Sequence, residues 1–245
     1  MKNRQIKTAV LLLTCVMLNV AAPSLSAAEL TVAAVTSAAG DGPDETGNTA
    51  DDSWQFWFEL AHKRGAFHVL DTHSKSVPAE GVPRKIRGPI AGMLPNPADT
   101  QGWIFHRDWD GRFEGIWGDA KADRVFAYPY VEKNVHLAVA VSYRIPADGK
   151  YNIRGKLTDL QVQPQFKQHD GINWSLDVVA RDAPARPIGT GGPLGDGHGR
   201  PESEEFKFDN VELRKGHLIR LVIHPGKWWG SDMTAIDGFV IEPAQ

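Results

Sequence analysis

Two adjacent tryptophans, Trp228 and Trp229, follow Pro225-Gly226 in a stretch typical of a loop. Neighbouring side chains of an extended segment point to opposite sides, so both rings cannot be buried on one strand face. We therefore expect at least one ring to be exposed. An exposed indole stacks on the apolar face of a sugar ring, and a nearby carboxylate such as Asp232 binds its hydroxyls. The alternative is that one tryptophan plugs the end of the fold.

A second cluster of rings and charges lies between residues 103 and 117. Its aromatic members are interleaved with acidic and basic residues, which suits a platform for a polar ligand. Trp109, Asp108 and Asp110 are its candidate ligand contacts. The alternative is a hairpin whose aromatic side chains pack beneath the main domain.

The acidic residues raise the question of a bound metal. Asp108 and Asp110 with Gly111 resemble part of a calcium loop, but an EF-hand is excluded because Trp117 occupies the position that requires Glu. A structural calcium elsewhere in the fold stays an alternative, since its ligands would be scattered along the chain. No other cofactor is expected.

Residues for hydrolysis form no recognised motif. The chain has no Gly-x-Ser-x-Gly elbow, and its one cysteine, Cys15, lies in the N-terminal leader. A histidine grouping, the best local candidate for a metal site, is interpreted as solvated turn residues instead. A group of acids is interpreted as a solvated strand edge that could include a glycosidase pair. These two groups are His68, Asp71 and His73, and Glu202, Glu204 and Glu205.

The elements that position these residues are predicted to be strands. From Val135 to Tyr143 large side chains alternate with small ones, as expected of a central strand. Helical periodicity is nearly absent, and Trp57 to Arg64 is the one plausible short helical stretch. We predict an all-β fold, an antiparallel β-sandwich of the jelly-roll type with an N-terminal β-rich extension. Its predicted core contains Val139, Val141, Trp174, Leu176, Leu221 and Ile223.

Glycine-containing segments predict the connections between strands. Lys215-Gly216 predicts a hairpin turn between Leu213 and Leu218. The glycine-rich stretch from Pro184 to Pro201 predicts a long loop, because it lacks side-chain bulk.

The N-terminus has the order of a signal peptide. Basic residues precede an uncharged run from Thr8 to Val20, and Ser26 and Ala28 occupy the positions that a signal peptidase reads. The apolar run is shorter than the roughly 20 residues that a membrane-spanning helix needs. We therefore expect cleavage near Ala28 and a secreted or periplasmic protein without a transmembrane segment. The alternative is a lipoprotein anchored through Cys15.

The chain divides by composition into four parts. We predict a signal peptide at 1–28, a flexible leader at 29–52, a β-rich extension packed on the sandwich at 53–120, and the jelly roll at 121–245. The leader is expected because it is rich in Ala, Thr, Gly and Asp. A net charge of −3 does not indicate the strongly basic surface that nucleic-acid binding needs.

Residues 124 to 242 resemble a known group of modules. The segments 127–129 and 139–155, with an Asp-Gly turn before Tyr-x-Ile-x-Gly, resemble jelly-roll modules of secreted bacterial proteins, especially from planctomycete-like genomes. Those modules are similar to carbohydrate-binding, galactose-binding-like jelly rolls. The resemblance covers about half of the chain, and the chain departs from it at His217 and by inserting Trp228-Trp229.

The residues and the resemblance together predict an exported, noncatalytic domain that binds carbohydrate or a cell-surface polymer. Two other classes are left as alternatives. One is an enzyme acting on polysaccharide, a lyase or a glycosidase, and the other is a structural or interaction domain without a small ligand.

Overall fold

The computed structural model of the protein describes residues 26–39, 53–59, 65–70, 72–74, 100–107, 113–120, 122–132, 135–160, 171–181, 183–195, 202–226 and 233–245. Most of these residues form strands. In chain order the elements are β1 Ala28–Glu29, α1 Val32–Ala39, β2 Trp54–Glu59, β3 Phe67–Val69, β4 Thr72–Ser74, β5 Thr100–Arg107, β6 Phe113–Asp119, β7 Arg124–Tyr128, β8 Tyr130–Glu132, β9 Val135–Leu137, β10 Val139–Arg144, β11 Gly149–Asp159, β12 Ile172–Val179, β13 Arg186–Leu194, β14 Glu202–Leu213, β15 Leu218–His224 and β16 Thr234–Pro243.

Two antiparallel sheets form a β-sandwich. Sheet A has the order β14-β11-β16-β7-β6-β5-β4, with β1 pairing beside β7 on β16, and sheet B has the order β13-β12-β15-β10-β2-β3. Strands β8 and β9 form a separate pair. The predicted all-β sandwich is confirmed.

The main core lies between the inner faces of the two sheets. All six residues predicted for the core are buried, with 0% to 4% of each exposed. The strand predicted from Val135 to Tyr143 is divided, because Val135–Leu137 form β9, which pairs with β8 in a separate sheet. Its second part, β10, is central as predicted, since it pairs with β2 on one side and β15 on the other. The small side chains of Ala138, directly before β10, and of Ala140, on β10, are also buried, on the outer face of sheet B. The alternation of large and small residues therefore belongs to a strand that is covered on both faces.

The predicted hairpin at Lys215-Gly216 is wrong, because β14 lies in sheet A and β15 in sheet B. The turn carries the chain from one sheet to the other. Its backbone bonds to Ile145 instead, with Gly216 N donating to the Ile145 carbonyl and Ile145 N donating to the His217 carbonyl, each at 2.8 Å. Ile145 itself lies in the crossing from β10 to β11, so the two crossings support each other.

The glycine-rich stretch predicted as a loop contains an edge strand of sheet B, β13. Its glycines are needed because the two sheets approach closely there. A Cβ on Gly189 would lie 2.1 Å from Cζ of Phe208, and a Cβ on Gly191 would lie 2.5 Å from Oε1 of Glu204, and both of these residues are on β14 of sheet A. Lack of side-chain bulk here indicates close packing of a strand rather than a loop.

The predicted helical stretch from Trp57 to Arg64 is wrong for its first three residues, which complete β2. Phe56 and Phe58 face the core while Trp57 faces outward, which is the period of a strand. Residues 60–64 lie outside the described part of the chain.

Helix α1 lies in the segment where a flexible leader was expected. Its residues Val35, Ala38 and Ala39 are buried in the main core, and the helix packs against β5 and β6. Thr31 caps its N-terminus by accepting a hydrogen bond from Ala34 N at 3.3 Å. Small apolar side chains let the helix pack against these strands. The composition that predicted a flexible leader therefore belongs, at these residues, to a packed helix. In the described part of the chain no helix has the length and apolar character needed to cross a bilayer.

The division at residue 120 into extension and jelly roll stays a prediction. Strands from both sides of this position share both sheets: β2 pairs with β10 in sheet B, and β6 pairs with β7 in sheet A.

Candidate functional site

The six predicted ligand contacts lie in two segments outside the described residues. Trp228, Trp229 and Asp232 belong to residues 227–232, which join β15 of sheet B to β16 of sheet A. Trp109, Asp108 and Asp110 belong to residues 108–112, which join β5 to β6 within sheet A.

The strands that flank these two segments meet at one end of the sandwich. On β16, Thr234 pairs with Ala127 of β7, and on β6, Gly115 pairs with Tyr128 of β7. The starts of β16 and β6 are therefore at the same end of sheet A, two strand spacings apart, or about 10 Å. We call this the loop end; it also contains Asp159, which pairs with Thr234. Both predicted clusters are attached to it.

One member of the second aromatic cluster is described and packed. Trp117 on β6 has none of its surface exposed and stacks on Phe126 of β7, with ring centroids 5.3 Å apart and planes inclined by 20°. The pair belongs to a small cluster with Met233 and Ala235, separate from the main core. For Trp117 the packing alternative is therefore correct.

Acidic side chains near the loop end bind other parts of the fold. Glu204 accepts a hydrogen bond from Nε1 of Trp174 at 2.8 Å, and Glu202 accepts one from the backbone N of Gly195 at 2.9 Å. Both contacts tie β14, the edge of sheet A, to sheet B. Glu202 and Glu204 are half-buried and Glu205 is exposed, so the predicted solvated edge holds for Glu205 alone.

The Glu204 contact predicts a measurable loss of stability. Glu204→Ala will lower the free energy of unfolding by about 1–3 kcal/mol, because the indole N–H of the buried Trp174 loses its acceptor. Glu205→Ala, one residue along on the opposite face, will change it by no more than about 0.5 kcal/mol. Urea unfolding of both variants measures the difference, and equal stabilities would remove the structural role assigned to Glu204.

A metal site has no candidate in the described part of the chain. No group of three or more His, Cys, Asp or Glu side chains there is arranged to hold a metal ion. Of the histidine grouping, His68 is exposed on β3 with its ring 6.2 Å from that of Phe58. Asp71 lies outside the described residues, as does the side chain of His73.

Sequence reasoning missed a row of polar side chains on the outer face of sheet B. Asp177, Arg220, Ser142 and Gln55 are paired in register across the four neighbouring strands β12, β15, β10 and β2. Arg220 and Asp177 are each 9% exposed, and Ser142 and Gln55 are fully buried. The available signal was Arg220 itself, a charge within the otherwise apolar strand from Leu218 to Ile223.

Arg220 lies at the centre of this face. Its Nη2 is 3.5 Å from Oδ2 of Asp177, and its guanidinium carbon lies 4.2 Å from the ring centroid of Phe67. β10 and β2 lie between β15 and β3, and the Phe67 ring packs against the small residues Ala138 and Ala140 in this space. Burial lowers the pKa of the Arg220 guanidinium, and the negative charges of Asp177 and Glu59 act in the opposite direction.

Trp57 borders the same face. Its Nε1 donates a hydrogen bond to Oγ of Ser142 at 2.7 Å, and that hydroxyl lies 3.5 Å from Oε1 of Gln55. The hydrogen bond fixes the orientation of a half-buried ring beside the small apolar cluster of Ala138, Ala140 and Val222. The outer face of sheet B therefore carries an indole held in one orientation, a guanidinium packed against a phenyl ring, and a buried carboxylate.

Comparison with known proteins does not show a family for the chain. No family model matches it. A segment of 57 residues, 23% of the chain, is 35% identical to part of the Gag-Pol polyprotein of avian reticuloendotheliosis virus, and it spans 5% of that protein.

Several solved structures resemble part of the chain at low similarity. The module TmCBM61 in complex with β-1,4-galactotriose has a TM-score of 0.37 at 14% identity, covering 58% of this chain and 88% of that one. A variant of CBM29-2, a family 29 carbohydrate-binding module, has a TM-score of 0.31 at 14% identity, covering 57% and 89%. A cleaved adhesin domain of Lys-gingipain from Porphyromonas gingivalis has a TM-score of 0.33 at 12% identity, covering 49% and 73%. Similarity at this level does not indicate a shared function.

Proposed function

We propose that the protein is an exported, noncatalytic protein that binds carbohydrate or a cell-surface polymer at the loop end of the sandwich. The observation that carries the proposal is that the strands flanking both predicted clusters meet at this one end. The proposed ligand contacts are Trp228, Trp229, Asp232, Trp109, Asp108 and Asp110.

The loop end suits binding because its strands are rigidly paired. Asp159 on β11 pairs with Thr234 on β16 and with Glu202 on β14, so three strands end there in register. Residues that bind ligands are commonly carried on loops at the end of such a scaffold, where they add specificity without disturbing the core. Two segments that each contain tryptophan and aspartate supply what a sugar needs, a stacking ring and hydrogen-bonding carboxylates.

The noncatalytic assignment is favoured by the contacts of the carboxylates near this end. A glycosidase requires two carboxyl groups that face a substrate. Glu202 and Glu204 each accept a hydrogen bond from sheet B instead. These contacts favour binding over hydrolysis by this pair.

Substitution of Trp229 tests the proposal. Trp229→Ala is expected to weaken glycan binding by about 1 kcal/mol, roughly fivefold, because a stacking ring is lost, while the melting temperature stays nearly unchanged. A glycan array first identifies the ligand for the purified protein. Calorimetric titration and thermal unfolding then compare Trp228→Ala, Trp229→Ala and the control Lys207→Ala, which is exposed on β14.

The opposite result identifies a structural plug. If both tryptophan variants lose several degrees of melting temperature and keep full glycan affinity, the loop serves packing and the site assignment is wrong.

A further inference from the structure

The bond predicted for removal of the signal peptide lies inside sheet A. Cleavage after Ala28 breaks the bond between Ala28 and Glu29, which together form β1. Both residues pair with β16, and Ala28 lies opposite Ile241. Leu30 continues the same register, because its N donates a hydrogen bond to the carbonyl of Phe239 at 2.9 Å. The bond is therefore flanked by paired residues on both sides.

The carbonyl oxygen of Ala28 is engaged in this pairing. Along an antiparallel pair of strands, opposite residues alternate between those that exchange two backbone hydrogen bonds and those that exchange none. Leu30 and Phe239 are hydrogen-bonded, so the next hydrogen-bonded pair along β1 is Ala28 and Ile241. The carbonyl oxygen of Ala28 therefore points at β16 and accepts from the N–H of Ile241.

A peptidase needs this same oxygen. Hydrolysis begins when a nucleophile attacks the carbonyl carbon, and donors of the enzyme bind the oxygen as it gains negative charge. In the folded protein β16 occupies the position that those donors require. Because Glu29 follows in the same strand, turning the Ala28 carbonyl away from β16 breaks the pairing on both sides of the bond. Folding therefore closes the bond to hydrolysis.

The residues that follow the bond resist detachment of β1. Leu30, Val32 and Val35 are buried, and Leu30 and Val35 belong to the main core. Helix α1, which begins two residues after Leu30, packs against β5 and β6. Cleavage of a paired segment requires local unfolding, and its rate follows the population of the opened form. Burial of these apolar side chains keeps that population small.

The order of the strands leaves the bond accessible during synthesis. In chain order β1 is the first element and its partner β16 is the last. At about 5–20 residues per second, at least about 10 s separate the synthesis of the two strands. Pairing between segments so distant in sequence is also slow to form. A peptidase therefore has an interval in which the carbonyl of Ala28 is unpaired.

We propose that pairing of β1 with β16 closes the processing site, so that a signal peptidase removes the signal peptide before the sandwich is complete. The inference rests on the export that the proposed function includes, and it adds the order of the two events. Hydrolysis adds water across the Ala28–Glu29 bond and leaves a carboxylate on Ala28 and an amine on Glu29. β16 then fixes the new N-terminus through the hydrogen bond between Leu30 and Phe239.

Digestion of the full-length chain by a purified signal peptidase tests the proposal without any substitution. The chain is purified in its folded state in detergent, and one sample is unfolded in urea and diluted into the peptidase immediately before digestion. We expect the folded sample to be cut at least about tenfold more slowly, because cleavage follows the population of the opened form. Mass spectrometry of the products identifies the bond that is cut.

Two aspartate variants test the residues that hold β1 in place. Leu30→Asp puts a charge into the main core, so it should detach β1 and raise the cleavage rate of the folded chain at least about tenfold. The matched control is Thr31→Asp, which adds the same charge one residue later, where the side chain is exposed and aspartate also caps α1. This control should leave the rate unchanged. Synthetic peptides of residues 18–36 with each change correct the rates for direct effects on the peptidase.

The outcomes separate this proposal from the export on which it rests. If folded and unfolded samples are cut equally fast, or the folded chain is cut before Ala27, which is exposed outside the sheet, the closed site is wrong while export stands. Equal corrected rates for Leu30→Asp and Thr31→Asp would overturn the role of Leu30. If neither the unfolded chain nor the peptide is cut, the signal peptide is wrong, and both export and the closed site fall.

Discussion

Replacing Leu221 with alanine will lower the free energy of unfolding by about 2–5 kcal/mol. Leu221 lies in the middle of β15, pairs with Val141 on one side and Leu176 on the other, and has none of its surface exposed. Truncation removes buried methyl groups and leaves a cavity that neighbours fixed in two strand pairings cannot fill. Chemical denaturation followed by tryptophan fluorescence measures the loss.

Leu218→Ala is the matched control for this prediction. Leu218 is the same residue type on the same strand, but it lies on the outer face and is half-buried. We expect it to lose clearly less stability than Leu221→Ala, since fewer buried contacts are removed. An unchanged midpoint for Leu221→Ala, or equal losses in the two variants, would contradict the placement of the core between the two sheets.

Gly171→Ala is expected to destabilise the protein by about 2–5 kcal/mol, because two costs add. Gly171 precedes β12 with a φ of +67°, a region that an alanine enters at a cost of about 1–2 kcal/mol. Its new Cβ would also lie 1.8 Å from the carbonyl oxygen of Leu194. That oxygen belongs to backbone, and Leu194 pairs with Ile172, so relief requires breaking the start of the β12–β13 pairing.

Gly216→Ala separates the two costs. Gly216 has a φ of +85°, but a Cβ built there has no neighbouring atom within 4 Å. This variant carries the conformational cost alone, so it should lose about 1–2 kcal/mol. Urea unfolding of both variants provides the comparison, and equal losses would show that the end of β13 at Leu194 does not lie against Gly171.

Local patterns along the chain were sufficient for several strands and for the core. Alternation of large and small residues from Val135 to Tyr143 depends on the side-chain period of an extended backbone, which is a property of one segment. The same reasoning places Trp174, Leu176, Leu221 and Ile223 in the core, where the structure has them. It also predicts a β-sandwich, because many short strands with apolar faces must cover one another.

Features that depend on packing between distant segments were predicted wrongly or missed. Lys215-Gly216 has the composition of a hairpin turn, yet hydrogen bonds to Ile145 make it a crossing between sheets. The glycines of β13 suggest a loop until Phe208 and Trp174 are placed against them. Helix α1 has a composition typical of a flexible segment, and it is ordered by the space it fills beside β5 and β6.

For the candidate site, too, local sequence predicts some features and only the packing of distant segments decides the others. Composition alone predicts the clusters that contain Trp228-Trp229 and Asp108 to Asp110 as candidates, since rings beside carboxylates suit a sugar ligand. That their flanking strands meet at one end, and that Asp177, Arg220, Ser142 and Gln55 form one row, follows from strand order and register. These four residues come from four segments spread over most of the chain. Strand order and register are decided by which faces can be buried together, so only the tertiary structure brings those residues side by side.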